Sequence, residues 1–152
     1  MIHYNTGDLL DVEEGAIIHG CNAQGVMGSG VALAIKTKYP KAYDAYKNFE
    51  KNHGLRLASI SMRGIRANKE SKYTFWVCNL ITQEFYGNDP KVQYVSYGAL
   101  HLGFEKLHQH FPLDVPFHFP KIGAGRGNGD WNKIAELIDF ACPDRKLTCW
   151  TN

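Results

Sequence analysis

The sequence predicts an α/β domain of three layers, in which a largely parallel sheet lies between two layers of helices. Short apolar runs alternate with amphipathic ones along the chain, which is the pattern of strands that alternate with helices. Two glycine-rich segments each stand between a predicted strand and a predicted helix. The chain has 152 residues and no internal repeat or linker, so we expect one domain over residues 1–152.

The first half of the chain begins with two predicted strands, at residues 1–5 and at residues 16–19. A helix over residues 31–38 ends before a proline, because the residue that precedes proline disfavours helical angles. A second helix over residues 41–52 has aromatic residues along one side and ends at a glycine. Residues 57–62 then alternate as a strand.

The second half continues the alternation. Residues 73–81 are rich in aromatic and β-branched side chains, which is typical of a buried strand. Residues 92–110 carry an imperfect apolar stripe and form the longest predicted helix. A strand at residues 115–119, a helix at residues 131–141 and a strand at residues 147–150 complete the fold. In such sheets ligands bind beyond the carboxyl ends of the strands, where both glycine-rich segments fall.

The composition excludes several classes of protein. A net charge of +2 is too small to imply a nucleic-acid groove by itself, and the lysines and arginines are scattered without a basic stripe. The N-terminal segment MIHYNTGDLL lacks the features of a signal peptide, and no window is apolar enough to cross a bilayer. The four cysteines form no CxxC pair, which favours reduced thiols and a cytoplasmic protein. We expect no membrane association.

The first glycine-rich segment, HGCNAQGVMGSG at residues 19–30, contains no lysine, arginine or acidic residue. It leads into a helix, whose first amides lack partners and whose dipole favours an anion. Glycines let the main chain approach a ligand closely. Backbone amides alone can therefore bind a phosphate here.

The second segment, PKIGAGRGNGDW at residues 120–131, repeats this design with alternating glycines and a helix start at Asp130. Two amide-rich loops at one sheet edge suit a diphosphate. A P-loop is excluded because Gly30 is followed by Val31 and not by lysine, and the glycines of the first segment run in the reverse order of the dinucleotide fingerprint. That both segments are only tight turns stays an open alternative.

Four motifs together resemble the macrodomain family over residues 7–150: GDLL at 7–10, AIIHGCNAQGVMGSGVALAI at 16–35, YPKAYDAY at 39–46 and the second glycine-rich segment. The resemblance is strongest to the branch of ADP-ribose 1″-phosphate phosphatases and terminal ADP-ribose protein glycohydrolases. It implies a mixed six-stranded sheet between helices. It also implies ADP-ribose as the ligand, with its diphosphate between the two loops.

The resemblance assigns binding roles to particular residues. Asn22 matches an asparagine that hydrogen-bonds the distal ribose, Asp8 and Leu9 would lie beside adenine, and Trp150 matches an aromatic position that can stack on adenine. A simple capping aromatic remains the alternative for Trp150. The phosphates and distal ribose would be contacted by the two loops, through Gly28, Ser29, Gly30 and Val31 in the first and Gly123, Ala124, Gly125, Arg126 and Gly127 in the second.

Two positions depart from the family pattern. An acid that commonly reads the adenine amino group precedes the second strand in the family, whereas this chain has Gly15 there with Glu14 beside it. The glycohydrolase uses a lysine nucleophile in the motif LITK, whereas this chain has Gln83 at the last position. A neutral amide cannot attack the ribose carbon as an amine does, so that mechanism is not available.

His19 and Asp130 are the candidate catalytic residues. His19 matches a histidine of the phosphatase branch, and an imidazole can transfer protons near neutral pH. Asp130 would orient water or the histidine. The alternatives are a hydrogen-bonded core histidine and an N-cap for the helix that starts at Trp131. The remaining histidines lack the spacing of metal ligands, so we expect neither a metal nor another cofactor.

These observations predict a monomeric protein that binds ADP-ribose or a derivative, and that hydrolyses one. The favoured reaction converts ADP-ribose 1″-phosphate to ADP-ribose and phosphate. Two enzymatic alternatives remain: removal of ADP-ribose from protein or nucleic acid, and deacetylation of O-acetyl-ADP-ribose. A third alternative is a module that binds ADP-ribose, or ADP-ribosylated macromolecules, without catalysis.

Overall fold

A computed structural model describes residues 1–70 and 74–152. Six strands form one sheet: β1 (Ile2–Thr6), β2 (Ala16–Asn22), β3 (Ile60–Arg66), β4 (Thr74–Gln83), β5 (Phe117–Phe119) and β6 (Leu147–Thr151). They lie in the order β1-β6-β5-β2-β4-β3. Strand β3 is antiparallel to β4 and the other neighbours are parallel, which confirms the mixed, largely parallel sheet.

Helices cover both faces of the sheet. They are α1 (Gly30–Lys38), α2 (Pro40–His53), α3 (Tyr97–His110) and α4 (Trp131–Ala141), and a 3₁₀ turn spans Leu9–Asp11. Because successive strand residues point to opposite faces, Ile17 packs with α1 and α2, whereas Ile18 packs with α3 and α4. The predicted three-layer architecture is therefore confirmed.

The predicted start of α3 is wrong by five residues. The apolar stripe indicates a helix from residue 92, whereas the helix begins at Tyr97. The Ser96 side chain accepts a hydrogen bond from the Ala99 amide at 3.1 Å and so caps the helix. Val95, just before this cap, pairs with Gln83 in an isolated antiparallel bridge. Tertiary pairing and the cap thus override the periodicity.

Strand β3 is also displaced from its prediction at residues 57–62. Leu57 and Ala58 form a turn in which Ala58 has a φ of 68°, and the strand then continues to Arg66. Tyr73, where the next strand was predicted to start, lies outside the described residues. The bounds of α4 agree with the prediction, and those of the remaining elements shift by at most three residues.

Five strands run in the same direction, so their carboxyl ends share one edge of the sheet. The two glycine-rich loops leave β2 and β5, which are paired neighbours. The loops are therefore adjacent in space, as a bound diphosphate would require. Within residues 1–70 and 74–152, no helix combines the length and the apolar character needed to cross a membrane.

Candidate functional site

A cleft of about 670 Å³ opens at the carboxyl edge of the sheet. This volume is in the range of small-molecule sites. Predicted residues from both loops line this cleft together, and the segment that follows β4 also lines it. Among the lining residues are Asn22, Gly28, Ser29, Gly30 and Val31 from the first loop, Gly123, Gly125, Arg126 and Gly127 from the second, and Tyr86, Gly87 and Asn88 after β4. Ala124 is not among them.

The charge of the cleft favours an anionic ligand. None of the lining residues in the described part of the chain is an aspartate or a glutamate, and the lining cations are Lys121 and Arg126. Both cations are exposed and belong to the second loop, whereas the first loop contributes no charge. Lys121 was not predicted, because a single lysine in a motif carries no pattern of its own.

The first loop presents free backbone donors at the start of α1. Ser29 is the N-cap residue in an extended conformation, and its side chain makes no capping hydrogen bond. Gly30 has a φ of 58°, which favours glycine, and a Cβ at this position would meet nothing within 4 Å. The first amides of a helix have no intrahelical partner, so they are available to an anion in the cleft.

Asn22 shapes the base of the first loop. Its Oδ1 accepts hydrogen bonds from the amides of Gln24 at 3.0 Å and Val26 at 3.3 Å, and its Nδ2 donates to the Val26 carbonyl at 2.8 Å. The Tyr46 hydroxyl donates to the Asn22 carbonyl at 2.6 Å. Asn22 is thus occupied in holding the loop, and its contact with the distal ribose stays a prediction. Tyr46 belongs to the YPKAYDAY motif but was not predicted to support this loop.

The second loop is closed by its own backbone. The Gly129 amide donates to the Gly123 carbonyl at 2.8 Å, and the Gly127 carbonyl accepts from the amides of Tyr94 at 2.9 Å and Val95 at 3.1 Å. A Cβ at Gly123 or Gly129 would lie 2.7 Å from a methyl group of Val95. These glycines are required by close packing inside the protein.

The segment after β4, residues 86–88, forms a further wall of the cleft. Tyr86 lines the cleft and is 57% exposed. The Asn128 side chain donates to the carbonyls of Asp89 at 3.0 Å and Val92 at 2.6 Å, which ties this wall to the second loop. These contacts could not be predicted from local patterns, because Asn128 is more than 30 residues from Asp89 and Val92 in the sequence.

His19 lies on the floor of the cleft and is only 1% exposed. Its Nε2 is 2.6 Å from the Asn79 Oδ1, and the Cys21 Sγ is 3.7 Å from both ring nitrogens. Burial lowers the pKa of His19 to about 4, and the hydrogen bond with Asn79 opposes this shift. His19 is therefore neutral at pH 7.

Asp130 is the N-cap of α4. Its Oδ1 accepts a hydrogen bond from the Asn132 amide at 3.0 Å, as the capping alternative predicts. Asp130 is not among the lining residues of the cleft, and no hydrogen bond of the described structure joins it to His19. The structure does not bring the two candidate catalytic residues together.

The residues predicted to contact adenine lie beside the cleft, at the ends of β1 and β6. The Asp8 carboxylate accepts from the Leu10 amide at 2.9 Å, which orders the 3₁₀ turn. Leu9 is buried in a cluster against which Trp150 packs. The close approach of Gly7 to the Trp150 ring, where a Cβ would lie 3.2 Å away, completes this corner. Asp8, Leu9 and Trp150 are thus brought together, although not as lining residues of the cleft itself.

His118 was not predicted, yet it orients Trp150. The indole Nε1 donates to the His118 Nδ1 at 3.0 Å, and the His118 Nε2 lies 3.4 Å from a Glu14 carboxylate oxygen. His118 is 3% exposed. Burial lowers the pKa of His118 while Glu14 raises it. Since an indole N–H can only donate, the His118 Nδ1 must be unprotonated in this arrangement.

This strand order, with a cleft between two glycine-rich loops that leave β2 and β5, defines a macrodomain fold. The macrodomain of Mycobacterium tuberculosis DarG superposes with a TM-score of 0.77 at 22% identity and covers 100% of this chain and 98% of that chain. Thermosipho africanus DarTG in complex with ADP-ribose gives a TM-score of 0.78 at 15% identity, over 98% of this chain and 42% of that chain. At these identities the likeness concerns the fold.

The chain belongs to the macrodomain family. It is 52% identical over 151 residues to an ADP-ribose 1″-phosphate phosphatase of Aspergillus clavatus, with 92% of this chain and 65% of the relative covered. It is 30% identical over 142 residues to an uncharacterized 17.5 kDa protein of phage T4, with 91% and 88% covered. It is also 26% identical over 138 residues to a DNA ADP-ribosyl glycohydrolase of Mycobacterium tuberculosis, covering 91% of this chain but only 38% of that relative. No protein-family model matches the chain.

Proposed function

We propose that this protein binds ADP-ribose in the cleft and hydrolyses ADP-ribose 1″-phosphate to ADP-ribose and phosphate. The observation that carries the proposal is the cleft itself, which residues of the two glycine-rich loops line and which has no acidic lining residue in the described chain. The name and the 52% identity of the Aspergillus clavatus relative support the choice of substrate.

The geometry supports one orientation of the ligand. The start of α1 and the second loop supply donors for the two phosphates from opposite sides. Leu9 and Trp150 lie together beside the cleft, on the side of β1 and β6, and suit adenine. The distal ribose then extends towards His19 and Asn22, where the 1″-phosphate is to be removed.

His19 is the titratable group suited to the chemistry. A water oxygen forms a bond to phosphorus, and the bond from phosphorus to the 1″ oxygen breaks. The proton of the water passes to the Nδ1 of His19 and from there to the departing 1″ oxygen. Because the pKa of His19 is lowered to about 4, the imidazolium formed in this step is short-lived and donates its proton readily to the departing oxygen. Asp130 caps α4 and is not among the residues that line the cleft, so its catalytic role stays a prediction and no step of this scheme is assigned to it.

Hydrolysis of ADP-ribose from nucleic acid is the second candidate. The 26% identical DNA ADP-ribosyl glycohydrolase supports it, as do the exposed aromatic rings of Phe85 and Tyr86 beside the cleft, which suit the stacking of bases. Any such reaction must proceed without a lysine nucleophile, because Gln83 occupies that position and its Nε2 donates to the Phe85 carbonyl at 2.7 Å.

The test compares phosphate release with ligand binding. Incubation with ADP-ribose 1″-phosphate should release inorganic phosphate, and His19→Ala should lose turnover while it still binds ADP-ribose. Micromolar binding of ADP-ribose, on the order of −8 kcal/mol, without phosphate release would favour a non-catalytic module. Release of ADP-ribose from a modified oligonucleotide, but not of phosphate, would favour the second candidate.

We also propose that the protein is cytoplasmic and monomeric. All four cysteines of the chain are free and buried, which suits a reducing compartment. Sedimentation of the purified protein would test the oligomeric state, and a stable dimer at micromolar concentration would contradict it.

A further inference from the structure

A short chain of buried polar groups runs beneath the cleft floor. His19 of β2, Asn79 of β4 and Ser61 of β3 are direct neighbours across the sheet. Asn79 is 0% exposed and makes three hydrogen-bonded contacts: its Oδ1 with the His19 Nε2 at 2.6 Å, and its Nδ2 with the Ala42 carbonyl at 3.0 Å and the Ser61 Oγ at 3.1 Å. All three contacts lie away from solvent.

The direction of each bond in this chain follows from chemistry. The Ala42 carbonyl can only accept, so the Asn79 amide nitrogen must face it and the Asn79 oxygen must face His19. That oxygen can only accept, so the proton of the neutral imidazole is on Nε2. The lone pair is then left on Nδ1, the other ring nitrogen.

We propose that Asn79 is a positioning residue that holds His19 in the Nε2–H tautomer and so reserves Nδ1 as the proton acceptor. The role rests on the proposed function, in which Nδ1 takes a proton from water. Asn79 acts through His19 and is not among the residues that line the cleft. The Ala42 carbonyl of α2 fixes the orientation of the Asn79 amide, and this orientation in turn determines the tautomer of His19.

The neighbours of His19 leave this assignment undisturbed. The Cys21 Sγ lies 3.7 Å from both ring nitrogens of His19, so it does not favour protonation of one over the other. Burial raises the pKa of the Cys21 thiol, which therefore stays neutral. No salt bridge of the described structure includes His19. The Asn79 amide adds no charge of its own. A carboxylate in its place would also select Nε2–H but would stabilise the imidazolium, which raises the pKa of the histidine.

The direct test is ¹⁵N NMR of the His19 ring, assigned by the loss of its signals in His19→Gln. The wild type should show one protonated nitrogen, Nε2, and one unprotonated nitrogen, Nδ1, at pH 7. Asn79→Leu has a similar volume and no acceptor, and should populate the Nδ1–H tautomer. Ser61→Ala is the matched control, since it removes one bond of Asn79 and none of His19, and should leave the tautomer unchanged.

The activity test separates positioning from simple structural support. Asn79→Leu should lower kcat for ADP-ribose 1″-phosphate at least tenfold, while the Kd for ADP-ribose stays within twofold of wild type. Ser61→Ala should stay within twofold in both quantities. Asn79→Asp restores the acceptor, so it should recover the Nε2–H tautomer and shift the acid limb of the kcat profile to higher pH.

The possible failures are distinguishable. An unchanged Nε2–H tautomer in Asn79→Leu overturns the positioning role, whatever the activity. If Asn79→Leu does not fold, Asn79→Asp decides, because an unshifted pH profile and an unshifted His19 titration would also overturn the role. If the wild type releases no phosphate, the proposed reaction is refuted. The NMR comparison still tests separately whether Asn79 holds His19 in the Nε2–H tautomer.

Discussion

The two glycine-rich loops look alike in sequence and differ in what their glycines do. In the second loop, a Cβ at Gly123, Gly127 or Gly129 would lie 2.7 Å from an atom of the protein itself. The first loop is divided in this respect: a Cβ at Gly20 would lie 2.7 Å from the Thr82 Oγ1, and one at Gly25 would overlap with the Glu50 carboxylate. At the end of the first loop, by contrast, a Cβ at Gly30 would meet nothing within 4 Å, and one at Gly28 would contact only Val26 at 3.2 Å. Three of the four glycines of the second loop are thus packed against the protein, and we call this the packed loop. Residues 28–30 at the end of the first loop leave open space beside the first amides of α1, and we call them the open loop.

This difference separates two reasons for a glycine. The packed loop needs glycines so that its backbone can contact Val95, and replacing such a glycine should reduce stability. The open loop needs glycines so that a ligand can approach its amides, and replacing such a glycine should reduce the affinity for the ligand. Substitutions in the two loops should therefore have opposite profiles of stability and affinity.

The largest effect is expected for Gly123→Ala. Gly123 has a φ of 80°, and its new methyl group would also overlap with Val95. Left-handed strain and overpacking together should lower the free energy of unfolding by about 4 kcal/mol. Urea denaturation would measure the loss. Gly125→Ala is the control in the same loop, because a Cβ there meets nothing within 4 Å and φ is not positive; an equal loss in both variants would refute the packing argument.

Acid should destabilise the protein because His19, on the floor of the cleft, is buried in its neutral form. The pKa of His19 is lowered from 6.5 to about 4 in the folded protein, so the unfolded chain binds a proton at a pH where the folded chain does not. Stability is then full above pH 6.5 and falls as the pH approaches 4, by about 3 kcal/mol from this group. Denaturation of wild type and His19→Gln across this range gives the contribution as a difference. Parallel curves for the two proteins would contradict it.

Gly30→Ala tests the open loop. Its left-handed φ of 58° should cost about 1 kcal/mol of stability, and the methyl group should obstruct the cleft and weaken ADP-ribose binding about tenfold, or about 1.4 kcal/mol. Gly54→Ala is the matched control. Gly54 has a φ of 74° with equally open surroundings, and it ends α2 away from the cleft. It should lose similar stability and no affinity as measured by calorimetry; equal affinity losses would show that strain alone weakens binding.

The smallest effect is expected at His118, which orients Trp150 where adenine is predicted to bind. His118→Phe removes the acceptor of the Trp150 indole N–H and should weaken ADP-ribose binding about threefold to fivefold, since one hydrogen bond contributes about 1 kcal/mol. Trp150→Phe lacks the donor, so adding His118→Phe to it should change the affinity no further. Additive losses in this double-mutant cycle would place the effect of His118 elsewhere.

Local patterns in the sequence were sufficient for most of the fold. The Asp130 cap and the apolar face behind it predict both ends of α4, because both signals lie within the helix. The start of α3 was predicted wrongly, because the pairing of Val95 with Gln83 involves a strand that is distant in sequence. The candidate site follows the same division: the two loops were predicted from their glycines, whereas Tyr86 and His118 were not predicted.

The sequence by itself determined the order of strands and helices and the position of two amide-rich loops at one sheet edge, because hydrophobic periodicity and glycine placement are local properties of the chain. Only the tertiary structure decided which glycines serve packing and which face the cleft. It also decided that Asp130 is not among the residues that line the cleft, and that Asn79 lies beside His19. These outcomes depend on contacts between residues separated by tens of positions, which exist only once the sheet has assembled.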